Sequence, residues 1–201
     1  MSVARQPSLF EAEVEAASAP RLPAGFAYQP EFLSREEEAQ LAAWLATLPF
    51  QAFQFRGYEG KRRVMSFGWQ YDFTRSHLVK ADDMPAELLP ARARAAAFAG
   101  LAPDDLQQCL LNEYLPGAPI GWHRDRPIFE KVVGISLLAP CNFRLRRRIG
   151  ERFERRTIEL APRSIYRIAG EARSVWEHSI PPAKAHRYSI TFRNFRTDAA
   201  H

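Results

Sequence analysis

Gly121-Trp122-His123-Arg124-Asp125 carries an imidazole and a carboxylate two positions apart, just past the run Asn112-Glu113-Tyr114-Leu115-Pro116-Gly117. Successive side chains of an extended chain alternate, so His123 and Asp125 would face the same side, where both could hold one cation. A third ligand of suitable type stands at His178, 53 residues beyond Asp125 and between two apolar, strand-like runs. Two histidines and one carboxylate form the facial set used by oxygen-activating non-haem Fe(II). His186 competes for the third place, but it directly precedes Arg187 and should point to the opposite face of that strand. His77, in a polar segment, and His201, at the terminus, are expected to be solvated.

A second set lies on the last strand-like run. Tyr188, Ile190 and Phe192 alternate with Arg187, Ser189, Thr191 and Arg193, and alternation that regular means one face is buried. The ordinary expectation puts the arginines in water. Two guanidiniums on one face could instead clamp a dicarboxylate, because the planar fork matches carboxylate geometry and keeps its charge.

The elements that must position these groups follow from pattern. Ser34-Arg35-Glu36-Glu37 reads as a capping box, and Leu41, Trp44, Leu45 and Leu48 give the helix after it one apolar face. Residues 51–73 hold short aromatic-rich runs broken by Gly57 and Gly60, which read as hairpins. There Lys61, Arg62 and Arg63 precede Trp69 and Tyr71, a basic and aromatic mixture suited to gripping phosphates and stacking a base. The Ala-rich stretch 86–99 predicts a helix begun or interrupted at Pro90. Residues 108–115 read as a strand with Asn112 and Tyr114 on one face and Leu111 and Glu113 on the other. Val132 to Leu138, the hairpin from Asn142 to Leu160, and 166–169, 175–178 and 187–195 make the C-terminal half nearly all β, with a turn at Pro181-Pro182.

At 201 residues and 46% hydrophobic, the chain can bury a core and is read as one domain over 24–201, preceded by a flexible arm over 1–23. Within that arm, Gln6-Pro7-Ser8-Leu9-Phe10 resembles the short peptides with which bacterial replication and repair proteins dock on the sliding clamp, two apolar anchors on a tether. An arm that folds back onto the body is the competing expectation. The formal charge of +5 favours a polyanionic partner. It is local: seven arginines against Glu151 and Glu154 between Arg144 and Arg156 sum to +5. Cys109 and Cys141 have no zinc or disulfide spacing. With no leader and no run of membrane-spanning length, a soluble, cytoplasmic monomer is expected.

Taken together, Asn112-x-Tyr114, Pro116-Gly117, His123-x-Asp125, His178 and the run from Arg187 to Arg193 resemble the AlkB family of Fe(II)- and 2-oxoglutarate-dependent dioxygenases. The resemblance is close over about 108–195 and loose over 51–73. It implies a mainly β, α+β fold, a double-stranded β-helix of jelly-roll, cupin-like type with supporting N-terminal helices. It implies that His123, Asp125 and His178 bind iron and that Arg187 pairs with the distal carboxylate of 2-oxoglutarate. Asn112, Tyr114, Ser189 and Arg193 would complete the cosubstrate site. Residues 51–73 would form a nucleotide-recognition lid, with Trp69 over the substrate base and Tyr71, Arg62 and Arg63 nearby. The implied activity consumes O2 and 2-oxoglutarate and demethylates N-alkylated bases in DNA or RNA, releasing succinate, CO2 and formaldehyde, as in alkylation repair. The alternatives are the same chemistry on a protein or small molecule, and a non-catalytic nucleic-acid-binding module. Two departures stand out. Arg126-Pro127 follow Asp125 where repair members often carry acidic residues, and Ser189 stands where the family often has Asn.

Overall fold

The alternation over 187–195 decides the layering. In the computed structural model, which describes residues 22–55, 58–72 and 77–197, this segment is strand β13 (Arg187–Phe195), and both of its faces are buried. Tyr188, Ile190 and Phe192 join an outer core with Val133, Ile135 and Leu137 of β8 (Phe129–Leu137) and Cys109 and Leu111 of β6 (Gln108–Tyr114). The opposite faces of the same strands contribute Tyr114 and Val132 to a separate inner core. A strand buried on both sides needs a layer on each, and the chain supplies helices on one and a second sheet on the other.

The larger sheet adds β1 (Phe26–Gln29), β2 (Gln51–Phe55), β3 (Tyr58–Phe67) and β11 (Ile165–Ile168), in the order β1-β11-β8-β13-β6-β3-β2. The smaller sheet runs β10-β9-β12-β7, from β7 (Ile120–His123), β9 (Cys141–Ile149), β10 (Arg152–Leu160) and β12 (Glu177–Ile180). Its Cys141, Phe143, Leu145, Leu160 and Ile180 meet Tyr114, Val132, Tyr166 and Ile168 of the larger sheet in the inner core. These antiparallel sheets, packed face to face, make the expected jelly roll. Close approach has a local cause at Gly134, where a Cβ would overlap the Tyr166 ring. A small ribbon of β4 (Trp69–Asp72) and β5 (His77–Lys80) stands beside the larger sheet.

Helix α1 (Arg35–Leu45) starts at the expected box: Ser34 Oγ accepts from Glu37 N at 3.1 Å, and Glu37 Oε2 accepts from Ser34 N at 2.7 Å. Helix α2 (Leu89–Ala99) has Pro90 in its first turn and ends at Gly100 with φ 66°. Ala91, Ala95, Ala96 and Ala99 are its buried face, and their small side chains let the helix lie close to the outer core.

Two local expectations change. Residues 175–178 are not one strand: a short helix α3 (Gly170–Ser174) intervenes and β12 begins at Glu177. Trp176 turns into the inner core, with Nε1 donating to Glu171 at 3.2 Å. The hairpin expected within residues 51–73 is β2–β3, and it is continuous with the larger sheet, since β3 pairs with β6 from Arg63↔Glu113 to Phe67↔Cys109 and β2 closes that edge. At the start of the described chain, Leu22 packs on the inner core and Pro23 is buried. Gln6 to Phe10 and His201 lie outside the described residues, and Tyr71 and His77 are described by backbone alone.

Candidate metal centre and cosubstrate pocket

The inner face of the smaller sheet places His123 directly opposite His178 in the β7–β12 ladder. Asp125 follows β7 by two residues. One ligand atom from each of the three lies within 4.8 Å of the others, and His178 Nε2 is 3.4 Å from Asp125 Oδ2. The two imidazole centroids are 4.3 Å apart. Sequence spacing brought His123 and Asp125 together; only strand pairing brought His178.

The protonation states suit a cation. His123 Nδ1 donates to the Gly121 carbonyl at 2.9 Å, so Nε2 keeps its lone pair. Burial lowers the pKa of both imidazoles, that of His178 to about 3. Burial acts to raise the Asp125 carboxyl, but Arg193 and then the two histidines outweigh it and hold the pKa well below the ordinary value. The centre therefore offers two neutral nitrogens and one carboxylate at neutral pH. Phe143 stacks on His178 at 5.2 Å and 18°, fixing the ring.

Arg193 does not reach outward. Its Nε and Nη2 both meet Asp125 Oδ1 at 2.8 Å, and Nη1 donates to Gln108 Oε1 at 2.8 Å. This leaves Asp125 Oδ2 on the side of the histidines. A buried carboxylate oriented by a cation in this way is the usual support of a metal ligand.

Arg187, six residues earlier on the same face, is in the opposite condition. It is 1% exposed, and Nε donates to Ser136 Oγ at 3.1 Å. Its guanidinium carbon lies 4.9 Å from the Tyr114 ring centre, yet Nη1 and Nη2 have no partner. Asn112 Oδ1 is likewise buried without a partner. A fully buried guanidinium with two idle nitrogens is costly unless a ligand supplies a carboxylate. The metal set and this fork together fit a keto diacid held at one end by the metal and at the other by Arg187. Ser189 is buried and lines the cavity, 3.4 Å from Thr191 by its hydroxyl.

The cavity, about 1820 Å³, runs from the triad along Asn112, Tyr114 and Tyr166 to the inner faces of β3 and the β4–β5 ribbon. The substrate-side residues named from sequence separate here. Arg62 lines the cavity. Arg63, on the other face of β3, is engaged by the buried Glu113 through Nε and Nη2 and takes no part in the site. Alternation along a strand forbids neighbours from sharing a face, so the basic trio could not act as one grip. Trp69 does not line the cavity; its ring packs edge-on against Phe195 at 5.8 Å, and Gln70 takes the lining position. His186 pairs with Glu113 at 3.1 Å on the far face of the sheet. Ser136, Gln108 and Tyr166, on strands that meet only in the fold, and Arg173, which lines the cavity from helix α3, were not legible as site residues.

The seven arginines of the β9–β10 hairpin also divide. Arg147 and Arg156 are tied to Glu154, and Arg147 also to Glu171. Arg146 pairs with Glu177 at 2.6 Å and Arg144 Nε donates to Ser179 Oγ at 3.1 Å, and both also flank the Trp122 ring, at 4.4 and 5.2 Å, with Arg146 4.4 Å from Phe153.

Fold and centre together define a jelly-roll protein built to hold a metal ion and a dicarboxylate. A family model for the 2OG-Fe(II) oxygenase superfamily matches residues 25–193. The chain is 30% identical over 181 residues to an "Alkylated DNA repair protein ALKBH8 homolog" of Arabidopsis thaliana, covering 77% of this chain and 50% of that one. It is 26% identical over 171 residues to a "tRNA (carboxymethyluridine(34)-5-O)-methyltransferase alkbh8" of Xenopus tropicalis, covering 82% and 26%. The chain thus spans about half or less of these relatives. The solved structure of OsALKBH1 superposes with a TM-score of 0.64 at 15% identity, covering 86% of this chain and 99% of that one. The chain belongs to the 2OG-Fe(II) oxygenase superfamily, with similarity to AlkB homologues, and is a dioxygenase whose cofactors are Fe(II), 2-oxoglutarate and O2.

Proposed function

We propose that the enzyme oxidatively removes N-methyl groups from bases in DNA or RNA. The observation that carries this reading is the cavity: at about 1820 Å³ it exceeds the roughly 300–1,000 Å³ of a usual small-ligand pocket. It therefore has room for an extruded base beside the cosubstrate. Six arginines, at 62, 124, 126, 173, 193 and 196, line it against Asp82, Asp125 and Glu177, a balance that favours a polyanion at the mouth. At the mouth, Trp122 lines the cavity and continues outward to the exposed Phe153, an aromatic surface bordered by Arg144 of the kind on which nucleic-acid bases stack. The names of the Arabidopsis and Xenopus relatives, one citing alkylated DNA and the other tRNA, point to nucleic acid.

When bound, ferrous iron with 2-oxoglutarate and O2 supplies the two-electron oxidation that hydroxylates a methyl carbon, the cosubstrate leaving as succinate and CO2. The hydroxymethyl group on nitrogen then departs as formaldehyde. The chain's contribution is placement. Arg187 seats the distal carboxylate, Asn112 and Tyr114 border the cosubstrate, and Arg193 holds Asp125 so that one oxygen faces the metal. Phe143 and Tyr166 keep the inner wall apolar.

The test is anaerobic loading with Fe(II) and 2-oxoglutarate, then oxygen and a panel of methylated DNA and RNA oligonucleotides read by product mass. Loss of 14 Da per base, taken as one CH2, with matching succinate is expected, and His123→Ala should abolish it. Decarboxylation indifferent to every oligonucleotide would favour the protein or small-molecule alternative.

A further inference from the structure

A second guanidinium in the cavity wall, that of the half-buried Arg62, has a buried nitrogen without a partner. Arg62 projects from the inner face of β3, beside Tyr114 of β6 in the register set by Arg63↔Glu113. Its guanidinium carbon lies 3.9 Å from the Phe53 ring centre, and its Nε is buried without a partner. No carboxylate among the described residues pairs with it. The other arginines at the centre differ: Arg193 has Asp125, and Arg187 has the geometry for the distal carboxylate. Arg62 lines the same cavity as His123, Asp125 and Tyr114, from the wall formed by β2 and β3. Burial lowers its pKa, yet a guanidinium stays charged at neutral pH.

We propose that Arg62 sets base specificity by charge: it admits neutral bases that present carbonyl oxygens and rejects bases made cationic by methylation. A neutral base with an oxygen on its Watson–Crick edge satisfies the idle donor. A cationic base adds like charge in a poorly screened site, whatever oxygens it carries. Arg126 also lines this cavity and adds to the same field. The inference rests on the nucleic-acid reading above.

Two oligonucleotides that differ in one base isolate the effect. 3-Methylcytosine is a cation at neutral pH, whereas 3-methyluracil has the same ring and methyl group, no charge, and an oxygen in place of the exocyclic nitrogen. Affinity is measured by fluorescence polarisation under argon on protein loaded with Fe(II) and 2-oxoglutarate, so that no turnover intervenes. The wild type is expected to prefer 3-methyluracil by at least about tenfold. Arg62→Gln should collapse that ratio and Arg62→Lys should keep part of it, with melting curves checking that both variants fold. Equal affinity of the wild type for the two bases, or an unchanged ratio in Arg62→Gln, overturns the proposal while leaving the nucleic-acid reading intact. A rise in 2-oxoglutarate half-saturation at a constant ratio reassigns Arg62 to the cosubstrate and also overturns it. If no methylated oligonucleotide binds while 2-oxoglutarate still does, the nucleic-acid reading itself fails and the proposal falls with it.

Discussion

The two ends of β13 carry the same residue type in the same burial and opposite circumstances. Arg193 is 8% exposed and Arg187 1%. Arg193 spends its donors on Asp125 and Gln108, while Arg187 spends only Nε, on Ser136. The protein thus completes one arginine itself and leaves the other for a ligand. The difference matches the roles proposed for them, positioning for Arg193 and binding for Arg187, and neither exposure nor residue type draws it. The same test applied to β3 picks out Arg62 and sets aside Arg63, which Glu113 has already satisfied.

The largest expected effect comes from breaking the completed end. Arg193→Met strands the buried Asp125 charge, so urea unfolding of the metal-free protein should show a loss of about 3–5 kcal/mol. Fe(II) affinity, titrated under argon, should fall about 10–100-fold. A variant as stable as the wild type would erase the contrast between the two arginines. Arg187→Met should do the reverse: metal-free stability holds or rises, while 2-oxoglutarate binding weakens by roughly 100-fold or more, since two charged hydrogen bonds of about 1.5–3 kcal/mol each are lost. In a thermal melt, 2-oxoglutarate with metal should raise the midpoint of the wild type and leave that of the variant unmoved. Ser136→Ala removes only the bond that aims the Arg187 fork. About 0.5–1.5 kcal/mol corresponds to a rise in 2-oxoglutarate half-saturation of roughly two- to twelve-fold at unchanged metal affinity.

The last effect is on stability alone and comes from groups buried in the two cores. Burial raises the pKa of Cys109, Tyr114 and Tyr166 above their ordinary values. A raised folded-state pKa means stability is fully present below the unfolded pKa and is lost as pH climbs past it. With unfolded values of about 8.5 for Cys and about 10 for Tyr, the urea midpoint should be flat from about pH 7 to 8 and fall from about pH 9 upward. Tyr166→Phe should reduce the fall above about pH 10.

Much of the fold was legible because period reports burial. The capping box at Ser34, the alternation of Asn112 with Leu111 and of Arg187 with Tyr188, and the β-branched run at Val132 each fix which face a side chain takes, and the structure shows those faces. Misreadings arose where period is silent. Residues 175–178 are too short to distinguish a strand from the exit of a turn. Trp69 offers an aromatic surface that suits a base or a neighbouring ring equally, and Phe195 is the ring it meets. Grouping Lys61, Arg62 and Arg63 treated adjacency in sequence as adjacency in space, which a pleated strand denies.

Composition and spacing alone specified the ligand types, the two-residue interval that aligns His123 with Asp125, and which residues of β6 and β13 share a face, because these depend on backbone geometry within one strand; that the arginine face of β13 is buried and not in water was not among them. The tertiary structure decided the rest. It set His178 against His123, placed Asp125 under Arg193, and left Arg187 and Arg62 with donors unspent. Those outcomes depend on which strands pair and in what register, and that is fixed by how the two sheets fill the space between them.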